Sequence, residues 1–309
     1  MTVAADAVTR FLDLRMLWGG GDVADRVHPM QWNGVAAVND PNYSDHSRFV
    51  DLPLADLQSF ICGKDVLIAT HGFNNNRQDG IQALAEWRKL LTLPDSAAYL
   101  GLLWPGDSES LHALCYPAEP AHAMQAGAIA AAFVDAAFQS AASLSFVSHS
   151  LGARVILEAI TAIKSPVRRA ILMAGAIDDR CLTGEFAAIQ QKAGQIAVLA
   201  SKEDEILRWA FPLGDFVAEV LDRDHPWWES ALGRFGPAER PDRYLPPCQI
   251  PSQWNYGHGD YLRTSPPAPS VIPPASGPAM PPPAVPLPLD GRGGWQQAWS
   301  ASAVSRFFR

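Results

Sequence analysis

Between residues 65 and 201 the chain repeats one arrangement: a short apolar run without polar alternation, a break, then a stretch with helical spacing. Asp65-Val66-Leu67-Ile68-Ala69-Thr70 precedes a segment that sets Ile81, Leu84, Ala85 and Leu91 at helical intervals. Ala98–Trp104 precedes an alanine-rich helix over 121–138, and the run ending at Val147 precedes a helix over 151–163 with Val155, Ala159, Ile160 and Ile163 on one face. Ala170–Ala174 and Gln195–Ser201 complete the series, with a short helix at 185–193 between them. A strand that is apolar on both faces must be covered on both, and parallel strands joined by helices achieve this. The pattern restricts the chain to the α/β class, with a mostly parallel central sheet flanked by helices. Ligands in such sheets bind at the carboxyl ends of the strands. His71, Trp104, Ser150, Asp178 and Asp204 all fall there.

Around this core the signals are weaker. Val8–Leu17 alternates partially and reads as a strand, 22–47 is ambiguous apart from a short strand over Gly34–Val38, and 1–60 is expected to supply edge strands and loops. The core is expected over 61–263. Between residues 266 and 288 lie 11 of the 26 prolines, a composition that builds no packed core, so 264–294 is expected to be a Pro-rich, disordered or polyproline-like tail. It serves either as a spacer or ligand for a partner protein or as an inert end. The final 295–309 regains aromatics and forms either a short docking element or none.

Composition narrows the partners. A net charge of -8 and a pI near 5.4, with no Lys/Arg cluster, argue against nucleic acid or an anionic membrane surface. No uninterrupted apolar run reaches transmembrane length, so membrane insertion is not expected. The four cysteines, Cys62, Cys115, Cys181 and Cys248, form no C-x-x-C pair, which fits free or buried thiols in a reducing compartment. A soluble, cytoplasmic protein is expected.

The chemistry centres on Ser145-Phe146-Val147-Ser148-His149-Ser150-Leu151-Gly152-Ala153, a strand, a sharp turn bearing a serine, and a helix. This is what a nucleophile elbow requires: an exposed hydroxyl on a strained turn, with small residues two before and two after. Ser148 takes the place of the usual first glycine. Ser148 itself competes poorly as nucleophile, because Phe146 would occupy its own minus-two position. Upstream, Thr70-His71-Gly72-Phe73 ends a buried strand in a loop where backbone N–H groups of Phe73 and Leu151 are candidates to hold a developing oxyanion. His71 reads as a structural hydrogen-bonding residue.

These residues, together with Leu103-Trp104-Pro105-Gly106-Asp107 and Gly257-His258-Gly259, resemble the α/β-hydrolase superfamily, in particular a mainly bacterial branch catalogued as a domain of unknown function. The resemblance runs from Val66 to Leu262. It implies a Ser-acid-His order along the chain, met here by Ser150, Asp204 and His258, and no metal or organic cofactor. His225 is the runner-up base. The acid stays open among Asp204, its neighbours Glu203 and Glu205, and the earlier pair Asp178 and Asp179. Trp104, Trp227 and Trp228 are candidates to line an apolar acyl pocket, against the plainer reading that they pack loops onto the core.

The expected function is a serine hydrolase cleaving a small-molecule carboxylic ester through an acyl-enzyme at Ser150, with His258 as general base. Thioesterase, amidase and acyltransferase share the same parts. The alternative of another class is a non-catalytic scaffold that keeps the fold. The distance from His258 Nε2 to Ser150 Oγ discriminates between the two.

Overall fold

The computed structural model describes residues 8–15, 22–33, 49–73, 75–106, 119–208, 230–245, 249–262 and 295–308. Nine strands among them form one sheet: β1 (Val8–Arg15), β2 (Val23–Asn33), β3 (Phe49–Asp51), β4 (Asp65–Thr70), β5 (Ala97–Leu103), β6 (Ser143–His149), β7 (Val167–Met173), β8 (Ala193–Ser201) and β9 (Gln249–Ile250). Their order is β3-β2-β1-β5-β4-β6-β7-β8-β9. The pairs β1–β2 and β2–β3 are antiparallel, and from β1–β5 onward every pairing is parallel.

The helices are α1 (Leu54–Ile61), α2 (Arg77–Leu90), α3 (Glu119–Ala137), α4 (Gly152–Ala162), α5 (Ile189–Lys192), α6 (Leu232–Phe235) and α7 (Trp295–Arg306). The central strands are apolar on both faces because both are covered: β4, β5, β6 and β7 are buried along nearly their whole length. Helices α3 and α4 pack on each other, and α2 packs against α7. Local chemistry sets the entry to α2, where the Asn76 side chain accepts from Asp79 N–H at 2.9 Å, and Arg88 and Lys89 in the last turn complement the helix dipole. No helix among the described residues is long and apolar enough to cross a membrane.

Several elements, β2, β3, α1, α6 and β9, are not marked out by the sequence. Strand β2 buries Val23, Ala24, Val27, Met30 and Trp32, a spacing that changes phase along the strand. The register against β1 shifts between Asp13 and Arg15, so strict alternation is lost and the period-two signal with it. Helix α1 is only eight residues and buries just Leu57 and Ile61. The short strand expected over Gly34–Val38 and the Pro-rich 264–294 lie outside the described residues. The segment at 185–193 is a turn over 185–188 followed by a single helical turn, α5, so the expected short helix is confined to its second half.

Candidate active site

Strand β6 runs straight into the serine turn. Ser150 has φ 54°, a left-handed conformation that a non-glycine residue adopts only when its surroundings impose it. Its N–H donates to Met173 O at 3.0 Å and its carbonyl accepts from Ala153 N–H at 3.0 Å, which pins both sides of the turn. The crowding explains the glycines. A Cβ on Gly152 would lie 2.3 Å from the His71 carbonyl oxygen, and one on Gly72 would lie 2.6 Å from Ser150 Cβ. Ser148, by contrast, fits at the minus-two position fully buried, its hydroxyl without a hydrogen-bond partner among the described residues.

Ser150, His258 and Asp204 come together in one hydrogen-bonded line, although 108 residues separate the serine from the histidine. His258 Nε2 is 2.8 Å from Ser150 Oγ, and His258 Nδ1 is 2.8 Å from Asp204 Oδ2. A carboxylate only accepts, so the proton of the second bond sits on Nδ1 and Nε2 is left to accept the serine hydroxyl. Asp204 is fully buried, and its other oxygen, Oδ1, accepts from Leu207 N–H at 2.9 Å. The residue thus caps the helical turn 205–208 with one oxygen and orients the imidazole with the other.

The rival acids lie elsewhere. Glu205 is exposed and pairs with Arg208, and the Glu203 side chain is partly exposed. Asp178 Oδ1 accepts from Arg180 N–H at 2.6 Å within its own turn. Burial and the neighbouring Asp178 push the Asp179 carboxyl up. His225, Trp227 and Trp228 lie outside the described residues.

The loop after β4 is held from several sides. Asn75 Nδ2 donates to Gly72 O and to Phe73 O, both at 3.0 Å. Arg15 donates to Asn75 O at 3.1 Å and Trp104 O at 3.0 Å. Trp104, a candidate either for a pocket wall or for packing a loop onto the core, has no exposed surface; its indole N–H donates to His71 O at 3.0 Å and its ring stacks on His71 at 5.9 Å. Its place is beneath the loop, as a buttress. His71 donates from Nδ1 to Gly72 O at 2.9 Å, and burial holds its pKa down at about 3, so the ring is neutral. Phe73 follows in this loop, and Leu151 stands at the N-cap of α4, where backbone N–H groups lack intrahelical acceptors.

Three participants escaped the sequence reading. His149, the residue before Ser150, donates from Nε2 to His258 O at 2.8 Å. Burial first, and then the His258 charge, lower its pKa to about 3, so it stays neutral. Its position inside the elbow was the only available signal. Asn75 is one of three successive asparagines, and Arg15 lies on β1, far from the motif in sequence. Among the described residues no group of three or more His, Cys, Asp or Glu could hold a metal ion.

The sheet, the strand–serine–helix turn and the loops at the strand ends define an α/β-hydrolase fold. The chain belongs to the family described as alpha/beta hydrolase of unknown function (DUF900), which matches residues 55–217. Among solved structures it is similar to a dienelactone hydrolase-like promiscuous phosphotriesterase, P91, from metagenomic libraries, at 12% identity and a TM-score of 0.42 over 91% of each chain. Esterase PE8 aligns at 16% identity and a TM-score of 0.34, covering 64% of this chain and 86% of its own. Esterase B from Lactobacillus rhamnosis aligns at 8% identity and a TM-score of 0.38, covering 82% of this chain and 80% of its own. A comparison with curated proteins finds no match.

Proposed function

We propose that the protein is a serine hydrolase that cleaves a small-molecule carboxylic ester. The observation that carries this reading is the pair of 2.8 Å hydrogen bonds from Ser150 Oγ through the His258 imidazole to Asp204. Ser150 Oγ attacks the ester carbonyl carbon while its proton passes to His258 Nε2, and the imidazolium that forms is stabilised by Asp204. The tetrahedral oxyanion is held by the N–H groups of Leu151 and Phe73, an arrangement typically worth about a hundred- to thousandfold in rate per donor. Collapse expels the alcohol, which takes the proton from Nε2 and leaves an acyl ester on Ser150. Water, deprotonated by His258, then releases the acid.

A scaffold would have no need to keep a buried carboxylate, an imidazole and a strained serine in line, so the short distances favour turnover. Two free thiols among the described residues, Cys62 and Cys181, agree with a reducing, cytoplasmic setting. A fluorophosphonate probe is expected to label the wild type at Ser150 and to leave Ser150→Ala unlabelled; folded wild type that resists the probe would overturn the reading. A panel of p-nitrophenyl esters of increasing acyl length then places the activity between short-chain esterase and longer acyl substrates. The corresponding thioester and anilide separate ester hydrolysis from thioesterase and amidase chemistry.

A further inference from the structure

The segment that carries His258 has little regular structure of its own. It consists of the two-residue strand β9, a 3-10 turn at Ser252–Trp254 and another at His258–Asp260, so its internal hydrogen bonds cannot by themselves hold an imidazole 2.8 Å from two partners. One support comes from inside, through His149 Nε2 to the His258 carbonyl. The second comes from the far end of the chain.

Trp299 of α7 stands edge-on to Trp254, with ring centroids 5.4 Å apart, and edge-on to Tyr256 at 5.8 Å. Tyr256 in turn meets Tyr261 edge to face at 4.7 Å, so the two tyrosines that flank His258 form one aromatic cluster with the helix. Ser300 Oγ shares its donor between Tyr261 O at 3.0 Å and Gln297 O, one turn back in its own helix, at 2.9 Å, and the Tyr256 hydroxyl also hydrogen-bonds Ser300. Both tyrosines are fully buried. The other end of α7 is anchored on the core: Thr92 N–H donates to Ser305 Oγ at 2.9 Å, Ala301 and Val304 are fully buried, and the Phe308 ring lies 5.3 Å from the Arg169 guanidinium. The helix therefore ties the end of α2 and strand β7 to the segment bearing the base.

We propose that α7 is a positioning element for the general base, acting through Trp299 and Ser300, and that the C-terminal end of the chain is a working part of the active site. The proposal rests on the serine-hydrolase reading for its effect on turnover, but not for its effect on geometry. The aromatic contacts fix the segment laterally, and the Ser300–Tyr261 bond fixes it along the chain three residues beyond His258. Without them the segment loses its ties to α7, and the imidazole swings away from Ser150 and Asp204.

The test uses the full chain. Proton NMR of the His258 Nδ1–H, assigned by its loss in Asp204→Asn, reads the imidazole position without any substrate; kcat and KM for p-nitrophenyl acetate read the consequence. Trp299→Ala is expected to broaden or remove this resonance and to lower kcat about 10- to 100-fold with KM near wild type, as a small misplacement of a reacting group does. Trp299→Phe, which restores a ring, recovers both. Ser300→Ala shows the same change in smaller measure and replaces Trp299→Ala should the latter not fold. Alanine variants that keep the wild-type resonance position and line width overturn the proposal. A wild type with a sharp resonance but no esterase activity would instead count against the ester reading, with the positioning proposal still decided by the resonance alone.

Discussion

At the residue scale the clearest outcome concerns the acid. Three carboxylates in succession, Glu203, Asp204 and Glu205, open a helical turn, and sequence alone offers no reason for any one of them to face inward. The structure separates them by burial: Asp204 is fully buried with both oxygens bonded, whereas Glu205 is exposed on Arg208. Asp204→Asn would retain the bond from Leu207 but present an amide to the imidazole, favouring the wrong tautomer. We expect kcat to fall about 10³- to 10⁴-fold. Asp178→Asn, which alters a carboxylate committed to its own turn, should stay within a few-fold of wild type. Equal losses in the two variants, measured as kcat on the same p-nitrophenyl ester, would contradict this assignment.

At the level of elements, the elbow works because two loops approach each other more closely than side chains allow. Gly152→Ala would place its Cβ 2.3 Å from a backbone carbonyl, that of His71, and neither side has a flexible end to move. Overpacking of this kind costs about 1–3 kcal/mol, and here it also displaces the His71–Phe73 loop. Gly175→Ala is the control from the same neighbourhood. Its Cβ would meet Ala153 Cβ at 3.5 Å, an ordinary contact. Urea denaturation of the two variants should therefore give a lowered midpoint for Gly152→Ala and a midpoint close to wild type for Gly175→Ala. A wild-type midpoint for Gly152→Ala would show that the loop yields without cost.

At the scale of the whole molecule, the mostly parallel sheet carries two buried neutral imidazoles beside Ser150. His71 and His149 both have their pKa held near 3 by burial, against about 6.5 in the unfolded chain. Below about pH 6.5 the unfolded chain takes up these protons and the folded one does not, so stability falls as pH falls, until the folded groups titrate near 3. Each imidazole contributes a slope on the order of 1 kcal/mol per pH unit. Denaturant melts at pH 7.5 and pH 5.0 should show a clear loss at the lower pH, before carboxylate protonation becomes dominant. Equal stability at the two pH values would mean that these rings are not held neutral.

Sequence by itself determined the core strands from β4 to β8 and the helices between them up to α4, the elbow at Ser150 and the glycine-bounded loop at His71, because these rest on local physics. A strand buried on both faces must be continuously apolar, and a left-handed serine turn pressed against a second loop must have small neighbours. Only the tertiary structure decided what depends on distance through space. It bonded Asp204, and none of the other candidate acids, to the His258 imidazole, buried Trp104 beneath the loop, and brought Arg15 and Asn75 to the loop beside the serine. It also set His149 against the backbone of His258 and laid the C-terminal helix against the segment that carries it. None of these contacts has a period or a spacing along the chain; each arises where separate elements meet, and there burial and hydrogen-bond partners, not residue order, select the side chain.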